Sequence, residues 1–414
     1  MGPQTAGFFS LHRILPNPSP STMLPTERRA SASLALIYAL RMLGLFLVLP
    51  VFALEAAKYP GGGDPAWVGL AMGIYGLTQG LLQIPFGMAS DRFGRKRVII
   101  IGLVIFAAGS LLAAAAPTLP WLLAGRALQG AGAVSAAVTA LLADLTRDSV
   151  RTKAMALVGA SIGLMFALSL VVAPPLAAAI GLSGLFALTG VLAVSGIGVM
   201  LWVVPPAPSQ ISANRSGMRQ VLADPALMRL NVGVFVLHAV QLAMWVAVPA
   251  LLVQAGLAKG AHWQVYLPAV LLSFAGMGAV FAMERRGQLR AVFLVSIGLI
   301  LVVQLGFGWL GQRDLGSLGI WPLGWLLLVF FCGFNALEAT QPSLVTRFAP
   351  ASSRGAALGV YNTLQSLGFF VGGAAGGLLV KNWGTQGLFT ACAGAMLVWL
   401  AVAWGMRVPG KLAP

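Results

Sequence analysis

Along this chain, runs of apolar residues long enough for a membrane-crossing helix alternate with short clusters of charge, Gly and Pro. A helix that crosses the hydrocarbon layer needs roughly 20 mostly apolar residues. Such runs fall at 34–54, 66–86, 98–116, 119–143, 154–179, 183–205, 230–254, 263–283, 291–311, 320–344, 355–380 and 384–406. The pattern predicts an all-α integral membrane protein with twelve transmembrane helices. The runs are continuous instead of alternating, and an open sheet edge in lipid leaves backbone groups without partners, so a barrel is not expected.

The polar stretches divide the chain. Residues 1–33 are rich in Pro and Ser and lack the apolar core and cleavage site of a signal peptide, so they are expected to be a disordered cytoplasmic tail. The longest polar connection, 206–229, separates six helices from six. It implies an N-terminal bundle at 34–205, a cytoplasmic linker, a C-terminal bundle at 230–406 and a short cytoplasmic tail at 407–414. Asp91-Arg92-Phe93-Gly94-Arg95-Lys96-Arg97 is echoed by Glu284-Arg285-Arg286-Gly287-Gln288-Leu289-Arg290. Each follows the second helix of its half, as parallel repeats about an axis along the membrane normal require.

With 58% hydrophobic and 9% charged residues, and a mean hydropathy of +0.89, too little polar surface remains for a soluble domain. The net charge of +16 raises the question of nucleic acid. With the N-terminus taken as cytoplasmic, however, the 26 Lys and Arg divide by side. Only Lys58, Lys259, Arg313 and Lys381 fall outside, Arg41 and Arg126 lie within spans, and the rest are cytoplasmic. That is the positive-inside asymmetry, with no soluble basic domain for a nucleic acid to bind. Cys332 and Cys392 lie in predicted spans without a His cluster, so packing is expected of them, with no metal and no cofactor. The chain has neither a zincin His-Glu pair nor a nucleotide-binding Gly-Lys-Ser/Thr loop, which argues against an enzyme.

Gly87-Met88-Ala89-Ser90 and the following Asp91 to Arg97 resemble the loop 2–3 motif of the major facilitator superfamily. Arg126-Ala127-Leu128-Gln129-Gly130 resembles its helix 4 motif. Arg41, with Gly333-Phe334-Asn335-Ala336-Leu337-Glu338 and Gly359-Val360-Tyr361-Asn362-Thr363, is similar to the YajR-type branch of bacterial exporters, over about residues 34–406. The resemblance implies two pseudo-symmetric six-helix bundles in the bacterial inner membrane, with both termini cytoplasmic. It also implies a monomer that exports a small molecule by alternating access, coupled to protons. The soluble C-terminal domain of that branch's type member has no counterpart before Pro414, so its role is not carried over. Helix 5, with Gly159, Gly163 and Ala173-Pro174-Pro175, lacks the glycines that follow proline in drug/proton antiporters. A proton symporter importing a small organic solute stays open, with Arg41 or Arg126 then binding a carboxylate.

In loop 2–3, Gly87 permits close helix approach and Gly94 a turn. The resemblance implies that Asp91 faces the N-terminus of helix 11 near Gly355 and that Asp144 forms a relay with Arg95 and Asp91. Read only as a basic loop fixing topology, Arg95, Lys96 and Arg97 are explained but Asp91 and Gly87 at that spacing are not; Arg92 belongs to the same motif. Of the ten acids, Glu338 alone lies inside a span, which makes it the leading protonatable site, balanced by Arg41 or Arg126. A fixed ion pair is the alternative. Arg126 and Gln129 share a helix face. Arg126 near the outer end either serves the cavity or snorkels. Polar groups in lipid turn inward, so Tyr75, Gln79, Gln83, Gln241, Trp245, Asn335, Asn362 and Gln365 are expected to line a cavity, although Trp245 also suits the core. His238 is either a proton relay or a structural hydrogen-bonding group. Helix 11 carries Gly368, Gly372, Gly373, Gly376 and Gly377, a stripe for close or sliding contact.

Overall fold

The computed structural model describes residues 22–206, 218–350 and 353–406. Residues 1–21 of the expected tail, 207–217 of the linker and the tail 407–414 lie outside the described residues. Among the described residues the regular structure is helical throughout, with no strand.

Twelve rods follow in order: α1 (Pro25–Ala56), α2 (Pro65–Phe93), α3 (Arg95–Ala114), α4 (Leu119–Asp144), α5 (148–180), α6 (182–202), α7 (Pro225–Gln254), α8 (Trp263–Arg285), α9 (Leu289–Leu310), α10 (Trp321–Phe348), α11 (354–383) and α12 (385–404). Nine segments of the described residues are long and apolar enough to cross a membrane. Two of these, Asp148–Trp202 and Arg354–Trp404, are each a pair of rods joined at a non-helical glycine, and α2, which carries Gln79 and Gln83, falls outside the set.

The joints repeat. Gly181 and Gly384 have φ 68 and 66, Gly94 and Gly287 have φ 95 and 78, and Gly61 and Gly256 have φ 87 and 86. Each pair occupies the same joint in its half, where the chain must take a left-handed turn that costs a side chain dearly. This is the repeat made visible in backbone geometry.

Caps fix where rods start. Asp64 accepts a 2.9 Å bond from the Ala66 N–H ahead of α2, and Asp224 accepts one of 2.8 Å from Ala226 ahead of α7; each is followed by proline at the first helical position. The rods outrun the apolar runs. Helix α1 begins at Pro25, inside the stretch expected to be a disordered tail, because Glu27 accepts from the Leu24 N–H at 2.8 Å and pairs with Arg147 at 2.8 Å. The linker 206–229 likewise contains a short helix, Met218–Ala223. Hydropathy marks the depth of hydrocarbon, whereas helical hydrogen bonding continues into the polar interface.

Two features mark the lipid-facing surface. Leu81, Ile101, Val104, Val191, Val194, Val302 and Leu397 are half or more exposed in mid-rod. Nine of the eleven Trp are exposed, and all nine (Trp67, Trp121, Trp202, Trp263, Trp309, Trp321, Trp325, Trp383 and Trp404) sit within two turns of a rod end, as in an interfacial aromatic belt. The two buried ones, Trp245 and Trp399, are core.

Candidate functional site

The two halves meet along α2 and α11. A Cβ placed on Gly69 would run into the backbone of Gly373 and Gly377, one on Gly73 would lie 2.6 Å from the Phe370 carbonyl oxygen, and one on Gly373 would meet Gly69 and Gly73. Gly368, Gly372 and Gly376 face the other way, against Phe235, Ala239 and Ala243 of α7. The stripe on α11 is therefore two stripes, one sealing the seam between halves and one packing its own half.

Charge closes the same end. The buried Glu55 at the end of α1 is 2.5 Å from Lys259, which precedes α8, and Asp64 is 2.5 Å from Lys381 on α11. The Lys381 ammonium, helped by the Ala66 N–H, holds the Asp64 carboxyl below the usual carboxylate range. At the opposite end Gly159 and Gly163 on α5 and Gly355 and Gly359 on α11 have open space where a side chain would go. The seam is shut at the end bearing Glu55 and Asp64 and parted at the end bearing the basic loops.

In the first half, two arginines sit fully inside the protein. Arg41 donates to Ser135 Oγ (2.9 Å), Tyr75 Oη (2.8 Å) and Gln79 Oε1 (3.1 Å). Gln79 Nε2 in turn donates across the seam to Ser366 Oγ on α11 at 3.1 Å. Arg126 donates to Gln129 Oε1 (2.6 Å) and the Met72 carbonyl (3.3 Å), and Gln129 donates to Ser110 (2.9 Å). The Arg126 guanidinium lies 5.0 Å from the Tyr75 ring centroid and 5.8 and 5.9 Å from those of Phe52 and Phe186. It is 2% exposed, so it does not snorkel. Neither arginine has a carboxylate partner among the described residues, and the Nε of each is buried without a hydrogen bond.

The second half holds the acid. Glu338 Oε1 lies 3.1 Å from His238 Nε2, within ion-pair range but not aligned for a hydrogen bond. The aligned partner of that nitrogen is the Gln365 amide nitrogen at 2.7 Å, and His238 Nδ1 is 2.9 Å from the Val234 carbonyl one turn earlier on α7. The Glu338 side chain is 32% exposed and the His238 side chain 2%. The expected balance of Glu338 by Arg41 or Arg126 is not found: they stand in the other half, and His238 takes that place.

Of the remaining candidates, Asn335 donates to Ser273 on α8 (2.9 Å), away from Glu338. Trp245 packs edge-on against Tyr266 at 5.5 Å in the core of its half, and its Nε1, Gln241 Oε1 and both amide atoms of Gln83 are buried without partners. Asn362 and Gln365 are partly exposed on α11. Sequence reasoning missed Ser366, Ser135 and the cross-half pairs of Glu55 and Asp64. It also missed a ring cluster that bridges the halves, with Phe46 and Phe166 at 5.1 Å and Phe166 and Phe334 at 5.9 Å.

In loop 2–3, Arg95 stands between two acids, donating to Asp144 Oδ2 at 2.9 Å and contacting Asp91. It also donates to Ser90 (2.8 Å). Gly94 makes the turn, Lys96 donates to the Val204 carbonyl, Arg92 stacks on Phe93 and Arg97 is exposed, whereas a Cβ on Gly87 would sit at an ordinary 3.5 Å from Ala136 of α4, so the close approach expected there is not required. The Asp91 side chain is 40% exposed and Gly355 faces open space, so the expected contact with the start of α11 is absent while this end is parted.

The family model described as Major Facilitator Superfamily matches residues 34–372 and 283–413. The chain belongs to the Major Facilitator Superfamily. Among relatives in this superfamily, the chain is 42% identical to the inner membrane transport protein YajR of Escherichia coli (strain K12), over 94% of its own length and 85% of that protein. It is 27% identical to the multidrug resistance protein MdtH of Aeromonas salmonicida (strain A449), over 86% of its length and 88% of that protein. The nucleoside transporter NupG shares the superfamily fold at a TM-score of 0.71 and 13% identity, over 91% of this chain and 99% of that one. The protein is a membrane transporter, not an enzyme.

Proposed function

We propose that the chain is a proton-coupled exporter of a small molecule in a bacterial inner membrane, working by alternating access with both termini in the cytoplasm. The observation that carries this reading is the group formed by Glu338, His238 and Gln365. Glu338 is partly exposed on the parted side, His238 is enclosed beside it, and Gln365 belongs to α11, the rod that seals the other end.

The Val234 carbonyl holds the proton on His238 Nδ1, so Nε2 is the atom whose state changes. Unprotonated, Nε2 accepts the Gln365 N–H. Protonated, Nε2 becomes a donor beside the Glu338 carboxylate 3.1 Å away, and the Gln365 amide must turn to offer its oxygen or withdraw. A proton arriving through Glu338 thus reverses or breaks the polar contact between α7 and α11 beside the seam. Export as the direction draws on the name of the MdtH relative, and the membrane on the name of the YajR relative.

The test is uptake of a panel of labelled compounds into everted vesicles carrying the protein. The reading expects accumulation that collapses when the pH gradient is dissipated and is lost in Glu338→Gln. Accumulation indifferent to the gradient, or confined to right-side-out vesicles, would contradict it.

A further inference from the structure

At the end bearing the basic loops, each half holds two cations on the carbonyl end of its last rod. In the first half, Arg29 of α1 donates to the Val203 and Trp202 carbonyls (2.9 and 3.5 Å) and Lys96 of α3 to the Val204 carbonyl (2.5 Å), where α6 ends. In the second, Arg290 of α9 donates to the Trp404 carbonyl (2.6 Å) and Arg229 of α7 to that of Gly405 (3.0 Å), where α12 ends. The first, third and sixth rods of each half thus build the same group. We propose that each group binds the headgroup of an acidic phospholipid, one lipid per half, in the membrane leaflet at this end.

Charge is the first argument. The four cations bond to main-chain carbonyls and, among the described residues, to no carboxylate. The carbonyl end of a helix carries about half a negative charge, so two full positive charges leave an excess of roughly one and a half. Within the first pair the Arg29 charge also repels Lys96. Guanidinium and ammonium groups have more N–H donors than these carbonyls use, and Arg29, Arg229 and Arg290 are exposed. A phosphate diester brings the missing negative charge and acceptor oxygens together.

Position is the second argument. Trp202 and Trp404, whose carbonyls are held, are 79% and 64% exposed and belong to the interfacial belt, which sets the four cations at the level of lipid headgroups. Leu36, two turns deeper on α1, and Val232, one turn deeper on α7, are exposed aliphatic side chains against which an acyl chain lies. Basic pockets between rods at this depth suit acidic headgroups. A soluble anion would meet the cations but gain nothing from the apolar surface below them. Each group lies within one half, so a bound headgroup ties three rods of that half together and leaves the seam free to move.

The competing explanation is that the four cations only cap the last carbonyls of their rods. Native mass spectrometry of the purified full chain, titrated with dioleoyl phosphatidylglycerol or dioleoyl phosphatidylcholine, separates the two. Phosphatidylglycerol should bind with two preferred copies per chain, and phosphatidylcholine, which carries the same phosphate but no net charge, with none. Arg29→Gln combined with Lys96→Gln should leave one preferred copy, as should Arg229→Gln combined with Arg290→Gln. The lost site should weaken about thirtyfold, the effect of two cations beside an acidic headgroup. Arg219→Gln combined with Arg286→Gln removes as much charge from the same end and should leave both copies. Glycerol 3-phosphate, a headgroup without chains, should displace neither. Equal retention of the two lipids by the unaltered protein would overturn the proposal. So would two copies surviving in both site variants, loss of a copy in the Arg219 and Arg286 variant, or displacement by glycerol 3-phosphate. The comparison of lipids needs only the unaltered protein, so it decides even where a variant lacking its caps fails to fold.

Discussion

Gln79 and Ser366 make a single hydrogen bond between halves, and its value is modest because water replaces it on opening. Such bonds contribute about 0.5–1.5 kcal/mol, so Ser366→Ala should shift the balance toward opening the Glu55 end by that amount, read as a changed population in a spin-label distance distribution. Asp64 adds a pH dependence with a definite sign. Its carboxyl titrates below its ordinary value of 3.8 because of Lys381. The pair therefore stabilises the closed seam at pH above that ordinary value and loses its effect as pH falls through the lower, folded-state value. Lys381→Met should remove this acid sensitivity of the distance distribution. For Asp91 the expectation differs. It pairs with Arg95 and leaves α11 untouched here, so Asp91→Asn should lower flux by weakening the opposite, cytoplasm-closed state while protein abundance stays near normal.

At the scale of elements, α11 is the rod on which both functions turn, and its two glycine faces make separable predictions. Gly372→Val presses on Ala239 inside the second half and should lower the unfolding temperature, by an overpacking cost of about 1–3 kcal/mol. Gly373→Val presses on Gly69 and Gly73 across the seam; it should leave each half folded but hold the seam open and stop transport. That glycines at 368, 372 and 376 share a helix face was legible from their spacing. Which neighbour each face meets was not, because periodicity within one helix says nothing of how rods are arranged laterally. The same limit explains Glu338. Its isolation among apolar residues marked it out, yet its partner proved to be His238 and not Arg41 or Arg126, since only the bundle arrangement sets α7 beside α10. Rod identities were legible from apolar run length, and rod ends were not, because caps such as Asp64 and anchors such as the Glu27–Arg147 pair lie in polar sequence.

For the whole molecule, the picture is of two repeats that hinge against each other along α2 and α11, shut by glycine contacts and ion pairs at one end and parted at the other. The aromatic belt and the exposed mid-rod aliphatics place that seam across the bilayer. The most direct test of alternating access uses two spin-label pairs in a background with Cys332 and Cys392 replaced. One pair spans the shut end at Gly63 and Trp383, and the other spans the parted end at Phe93 and Gln288. The account predicts that Glu338→Gln, or acidification, alters the two distances in opposite senses, one lengthening as the other shortens. Distances that change together, or an end that never closes under any condition, would contradict it.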